Sequence, residues 1–179
     1  MIVDVSDFTD RPYKVPNQEE SRDFEAFMTA KEEELLRGIL GNELYDLLAD
    51  ALEASGDPTD PYYDLVNGAD YIRSDEQYHY KGLKDLLIPA IYSEWLPLGV
   101  HKHTNIGHVV NNAPQQSNLI IDQYPFQIES WNRFVAKVGI LSNCRYNYMN
   151  TFYGYIKTNE SDFPTWRFTA PAFKNRFDF

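Results

Sequence analysis

The chain has 179 residues, 43% of them hydrophobic, which is enough for one domain with a real core. Its net charge of −11 is uneven: residues 1–80 carry 20 Asp/Glu against 6 Lys/Arg, and residues 81–179 carry 7 against 10. This excludes a protein that grips nucleic acid through clustered cations, the single cysteine excludes an internal disulfide framework, and no apolar run approaches the roughly 20 residues of a membrane span.

The N-terminus, MIVDVSDFTD, lacks a basic region before a long apolar run, so no signal peptide is expected. The reading is a protein made soluble inside the cell, and the sequon Asn159-Glu160-Ser161 then carries no meaning. Residues 1–17 read as an arm, with Ile2, Val3 and Val5 in a short strand and Pro12 and Pro16 blocking helix.

The first helix is expected from Asn17 or Gln18. Phe24, Phe27, Met28, Lys31, Leu35 and Ile39 follow its inner stripe, and Glu32, Glu33 and Glu34 its wet face. Gly41 reads as its C-terminal cap and Asn42 as the N-cap of a second helix, Glu43 to about Ala54. That helix lines up Leu44, Leu47, Leu48 and Leu52, and Ser55-Gly56-Asp57-Pro58 ends it. Pro61 to Val66 suits a short helix with proline in its first turn. A strongly apolar helix follows from about Tyr78 to Leu98, with Leu83, Leu86, Leu87, Ala90, Ile91, Trp95 and Leu96 inward. Pro89 should kink it and Pro97 end it.

Residues 99–125 are rich in turn formers, and a projecting loop or β-hairpin is expected there. Val109-Val110 would pair with Leu119-Ile120-Ile121 across the loop NNAPQQSN. A last helix from Phe126 to Lys157 would be about 45 Å long, with Gly139 and Gly154 as weak points.

The final segment, 161–179, carries Phe163, Trp166, Phe168, Phe173, Phe177 and Phe179, interrupted by Pro164 and Pro171. Such spacing does not make an amphipathic helix. Aromatic anchors between polar residues suit pockets on a partner, and Arg167, Lys174 and Arg176 make this end basic in an acidic protein. The expectation is a docking tail on another chain; the alternative is a tail wrapped over its own subunit. The organisation is therefore an arm (1–17), a mainly α helical-bundle domain (18–160) with the insertion at 99–125, and an extended tail (161–179), with no internal repeat. Aromatic residues at 15% exceed what one core needs, which fits either subunit interfaces or a compositional habit.

Chemistry-bearing motifs are few. His101-Lys102-His103 with His108 is the best metal candidate, since alternate residues of a strand share a face. No neighbouring Asp, Glu or Cys completes that set, and Lys102 lies between two of its members. His79, between Tyr78 and Tyr80, reads as an interface or helix-edge residue, and Cys144 as a small core residue. Phosphate-binding glycine loops, GxSxG and HExxH are absent. The sequence reads as a non-enzyme, without cofactor or resident metal.

Several phrases nevertheless carry a resemblance. LLRGILGNELYDLL (35–48) joins two helices through a corner, and YKGLKDLLIPAIYSEWL (80–96) forms the central apolar helix. TNIGHVV (104–110) follows, then a long helix and a tail. In the order of elements over about 18–158 this resembles small neck proteins of tailed bacteriophages, the head–tail connector or adaptor group, especially of phages infecting Bacteroidetes. The resemblance implies a helical bundle forming a twelve-fold ring beneath the portal protein. Such a ring extends the DNA channel without specific DNA binding and docks the next neck or tail protein. It implies no catalytic residues, no membrane, and a place in the virion after synthesis in the host cytoplasm. In related connectors a C-terminal segment reaches the portal and is ordered only there.

Three other readings remain: a tail- or head-completion protein, a metal-dependent hydrolase using His101, His103 and His108, and a regulatory or antitoxin-like helical binder. The acidic balance disfavours DNA recognition by the last.

Overall fold

The computed structural model describes residues 1–9, 12–13, 15, 21–55, 61–99, 101–104, 107–110, 117–139, 148–169 and 171–172. The chain is mainly helical: α1 (Ser21–Leu40), α2 (Asn42–Ser55), α3 (Tyr62–Asn67), α4 (Gly82–Gly99), α5 (Ser117–Val138) and α6 (Phe152–Thr158). Two antiparallel ladders interrupt the helices, β1 (Ala69–Arg73) with β2 (Glu76–Tyr80), and β3 (His101–Thr104) with β4 (Gly107–Val110).

The apolar helix α4 is the centre of the body. Leu83, Leu86, Leu87, Ala90, Ile91 and Trp95 are all buried, and its widest packing is against α5, whose Phe134, Val135 and Val138 are buried too. It runs as one helix past Pro97 to Gly99, slightly beyond the expected stop. The α1 stripe is Phe24, Met28, Leu36, Ile39 and Leu40, completed by a residue expected on the wet face. That residue is Glu32, which is buried.

The burial of Glu32 has a local reason. Its carboxylate accepts from the backbone N–H of Ile2 at 2.8 Å and of Val3 at 2.9 Å. The first residues are therefore not a strand: their amides go to a side chain, and the chain turns into a short 3₁₀ helix, Val5–Phe8. Asp4 caps that turn, and Phe8 buries its ring edge-on against Phe24 at 4.8 Å.

Three further expectations are corrected. The chain around Tyr78 is β2 rather than the start of a helix. Ser74 and Asp75 both hold positive φ, the two-residue turn that matches the twist of a tight hairpin. Secondly, Val109-Val110 lie in β4 and pair with Lys102 and His101, while Leu119-Ile120-Ile121 lie in α5. Thirdly, no single helix spans 126–157. The helix begins at Ser117, runs through Pro125 and stops at Val138, where Gly139 takes φ +91°. A Cβ on Gly139 would fall 2.0 Å from Thr151 Oγ1, so only glycine fits. Thr151 then caps α6 by accepting from Gly154 N. Cys144 lies outside the described residues.

Candidate functional site

The C-terminal segment is the element on which sequence reasoning placed its docking residues. It leaves α6 through two turns, with Asp162 N donating to Asn159 O at 3.0 Å and Trp166 N to Phe163 O at 3.1 Å. Pro164 lies between them and keeps the path extended rather than helical.

Phe163 is 1% exposed and sits between Tyr62 and Tyr155. Trp166 packs against Phe152, Tyr153 and Phe168, with the Lys157 ammonium 5.5 Å over its ring. Its indole N–H donates to Ile39 O at 2.9 Å. The backbone then adds Arg167 N to Leu40 O at 3.2 Å and Thr169 N to Gly38 O at 3.3 Å. Farther along, Ala172 O accepts from Trp131 Nε1 at 2.7 Å.

These acceptors have a common origin. Gly38, Ile39 and Leu40 end α1, where the last carbonyls of any helix lack intrahelical donors. The segment supplies three donors to that end and acts as an external cap. Gly41, at φ +82°, makes the approach possible: a Cβ there would stand 2.7 Å from the Arg167 carbonyl. Phe163 and Trp166, expected to dock on another chain, find contacts within their own. Their partners are α1, α3 and α6 of the same chain, and Phe168 is half-buried beside them. Arg167 is exposed, its side chain donating to Trp166 O. Phe173, Lys174, Arg176, Phe177 and Phe179 lie outside the described residues.

The second feature is electrostatic. Glu25, Glu33, Glu34, Glu43, Asp46, Asp50 and Glu53 are all exposed on α1 and α2. Arg37 bridges part of this acid, bonding Glu33 at 2.8 Å and Asp46 at 3.0 Å, with its guanidinium 4.2 Å over the Tyr45 ring. The Glu33 hydrogen bond pushes the Arg37 guanidinium further above its ordinary value, and burial pushes the Tyr45 phenol up. Lys31 pairs with Glu34. The remaining carboxylates make an acidic exterior.

The third feature is the histidines. His79 bonds Asp70 across the β1–β2 ladder at 2.7 Å, and its N–H donates to Asn150. His101, His103 and His108 lie on the β3–β4 ladder, where His103 stands directly opposite His108. Among the residues whose side chains are described, no group of three His, Cys, Asp or Glu is placed to hold a metal ion. A recess of about 250 Å³ beside α4 and α5 holds Asp85 and Lys137, but these pair with each other at 2.8 Å.

Neither the three α1 carbonyls nor the buried Glu32 was singled out from sequence. Backbone acceptors leave no compositional trace, and Glu32 sat within a run of three glutamates. Gly41, read as a cap, was the one signal at the α1 end.

Compared with known proteins, residues 36–175 match the model of a family described as "Family of unknown function (DUF6712)". No curated protein and no solved structure matches the chain. The matched stretch takes in the last turn of α1, both ladders and the whole described C-terminal segment.

Proposed function

The chain belongs to the DUF6712 family, and from that premise we propose that it is a structural protein of a tailed-bacteriophage virion. In this reading it is a head–tail connector: copies form a ring, twelve-fold in symmetry, beneath the portal protein. The ring extends the DNA channel and offers the next neck or tail protein its docking surface. The protein works by assembly and not by catalysis.

The observation that carries the reading is the acidic exterior of α1 and α2. A channel that passes DNA must not hold it, and affinity for the duplex comes mainly from cations that displace its counterions. A wall of carboxylates does the opposite, repelling phosphates over a Debye length of roughly 8 Å at physiological salt. The resemblance of 35–48 and 80–96 to connector phrases supports the same reading, because those stretches build the α1–α2 corner and the central helix.

Native mass spectrometry of the purified protein, alone and with the portal of its virus, tests the proposal. Rings, or copies bound to the portal in ring stoichiometry, are the expected species. A monomer that joins neither portal nor neck components overturns it.

A further inference from the structure

We infer that a groove between α1 and α2 is the docking site for residues 173–179 of an adjacent copy of this chain, with the Phe177 ring as the anchor. The site depends on the connector reading only in that copies of the chain pack side by side.

Helical spacing builds the groove. Tyr45, Leu48, Ala49 and Leu52 stand at i, i+3, i+4 and i+7 of α2 and share one flank. Leu36 of α1 and Ile2 complete a recess of about 230 Å³. Leu36 and Leu48 belong to the core, and Glu32 fixes the wall on the N-terminal side by holding the Ile2 and Val3 amides. A cavity of about 150 Å³ with an aliphatic lining takes up a benzene ring, so the recess has room for one phenyl group.

Charge selects the occupant. Helix α2 carries Glu43, Asp46, Asp50 and Glu53 and no Lys or Arg. Arg37 holds Asp46, but among the described residues no cation pairs with Glu43, Asp50 or Glu53. Glu53 is exposed and borders the recess itself. An apolar recess with free carboxylates at its rim suits an aromatic anchor flanked by cations. Residues 173–179, FKNRFDF, have that composition, with Lys174 and Arg176 between Phe173 and Phe177. Reach decides which ring serves. Ala172 is tied to Trp131 of its own subunit, so Phe173 stays beside α5. Phe177 is five residues farther on, and five extended residues span up to about 17 Å. That exceeds the roughly 10–12 Å diameter of a helix, enough to cross a contact between subunits. Arg176, next to the anchor, then meets Glu53 at the rim, a pair that sets orientation more than affinity.

Photo-crosslinking of the full-length protein tests the site, with Phe177 replaced by p-benzoylphenylalanine. The expected product has the mass of two chains, and its crosslink maps to Leu48, Ala49 or Leu52. Leu52→Lys should cut the yield at least tenfold, with far-UV circular dichroism checking that the variant folds. Arg176→Glu should cut it several-fold, and Glu53→Lys added to Arg176→Glu should recover it. A crosslink confined to one chain, a crosslink mapped elsewhere, or a yield indifferent to Leu52→Lys overturns the inference. Native mass spectrometry separates this site from the connector reading. Rings without the crosslink overturn the groove and leave that reading standing, whereas crosslinked pairs without rings support the groove and count against the ring.

Discussion

The indole N–H of Trp166 donates to the carbonyl of Ile39, 127 positions earlier in the chain, at 2.9 Å. This bond marks where the C-terminal segment meets the end of α1. With the two backbone bonds from Arg167 and Thr169, it turns a set of unpaired helix-end carbonyls into a docking rail. The described aromatic residues of the segment, Phe163, Trp166 and Phe168, thus pack inside their own subunit.

The first prediction concerns that rail. Trp166→Ala removes a large buried ring and should destabilise the protein by about 3–5 kcal/mol. Trp166→Phe keeps most of the area but removes the donor to Ile39, and should cost about 1–3 kcal/mol. Urea denaturation reads both. Unchanged midpoints would mean that the segment does not hold this position in solution.

The buried Glu32 is the second test. Its carboxylate carries the Ile2 and Val3 amides, and hydrogen bonds to charged groups are worth about 1.5–3 kcal/mol. Glu32→Ala should release the N-terminal residues and destabilise by about that amount or more. Hydrogen exchange at Val3 should accelerate sharply while α4 amides change only with global stability. Equal exchange at Val3 in both proteins would refute the clip.

A third prediction falls on two glycines that stand against each other at the base of the β1–β2 hairpin. Gly68 and Gly82 have φ of +91° and +88°. A Cβ on Gly68 would be 2.4 Å from the Tyr80 carbonyl, and one on Gly82 would be 2.4 Å from the Val66 carbonyl. Either glycine replaced by alanine incurs about 1–3 kcal/mol of backbone strain, before any displacement of those carbonyls. Thermal melts of Gly68→Ala and Gly82→Ala should both fall well below wild type, whereas Gly38→Ala, with open space at its Cβ, should not.

Alkaline stability provides the fourth. Tyr80 is buried, stacks on Tyr155 at 4.7 Å and donates to Leu65 O. Burial, helped by Tyr155, raises its phenol well above the ordinary 10.0. With the folded value above the unfolded one, the unfolded chain sheds the proton first. The contribution is intact below about pH 10 and is lost as the pH climbs toward the folded value. Denaturation midpoints should hold at neutral pH and fall above pH 10, and Tyr80→Phe should make that fall shallower. Tyr92, also raised by burial, should retain part of the slope. An identical slope in Tyr80→Phe would remove Tyr80 from the account.

Much of the helical frame was legible because burial repeats with the helical period. Leu83, Leu86, Leu87, Ala90, Ile91 and Trp95 of α4 follow the expected apolar stripe inward, although the buried Ser93 does not show in it, and Gly41 reads as the cap that it is. The β1–β2 hairpin was missed because its turn uses Ser74-Asp75, without the glycine that usually advertises such a turn. The helix expected over 126–157 was over-extended because the apolar stripe continued past Gly139. The break depends on Thr151 filling the space that a side chain would need. At the candidate site, Phe163 and Trp166 were recognised as anchors, but not their destination. Helix-end carbonyls are the same whatever side chains they carry, so only the fold shows which of them the segment reaches.

The proposal of a connector ring is tested most directly by imaging the neck of assembled particles. The account predicts a ring of this chain between portal and tail, with Glu33, Glu34, Asp46 and Asp50 facing the DNA channel and residues 161–169 folded onto each subunit's own α1. Particles whose neck lacks the chain, or a neck ring with those carboxylates turned away from the channel, would contradict it.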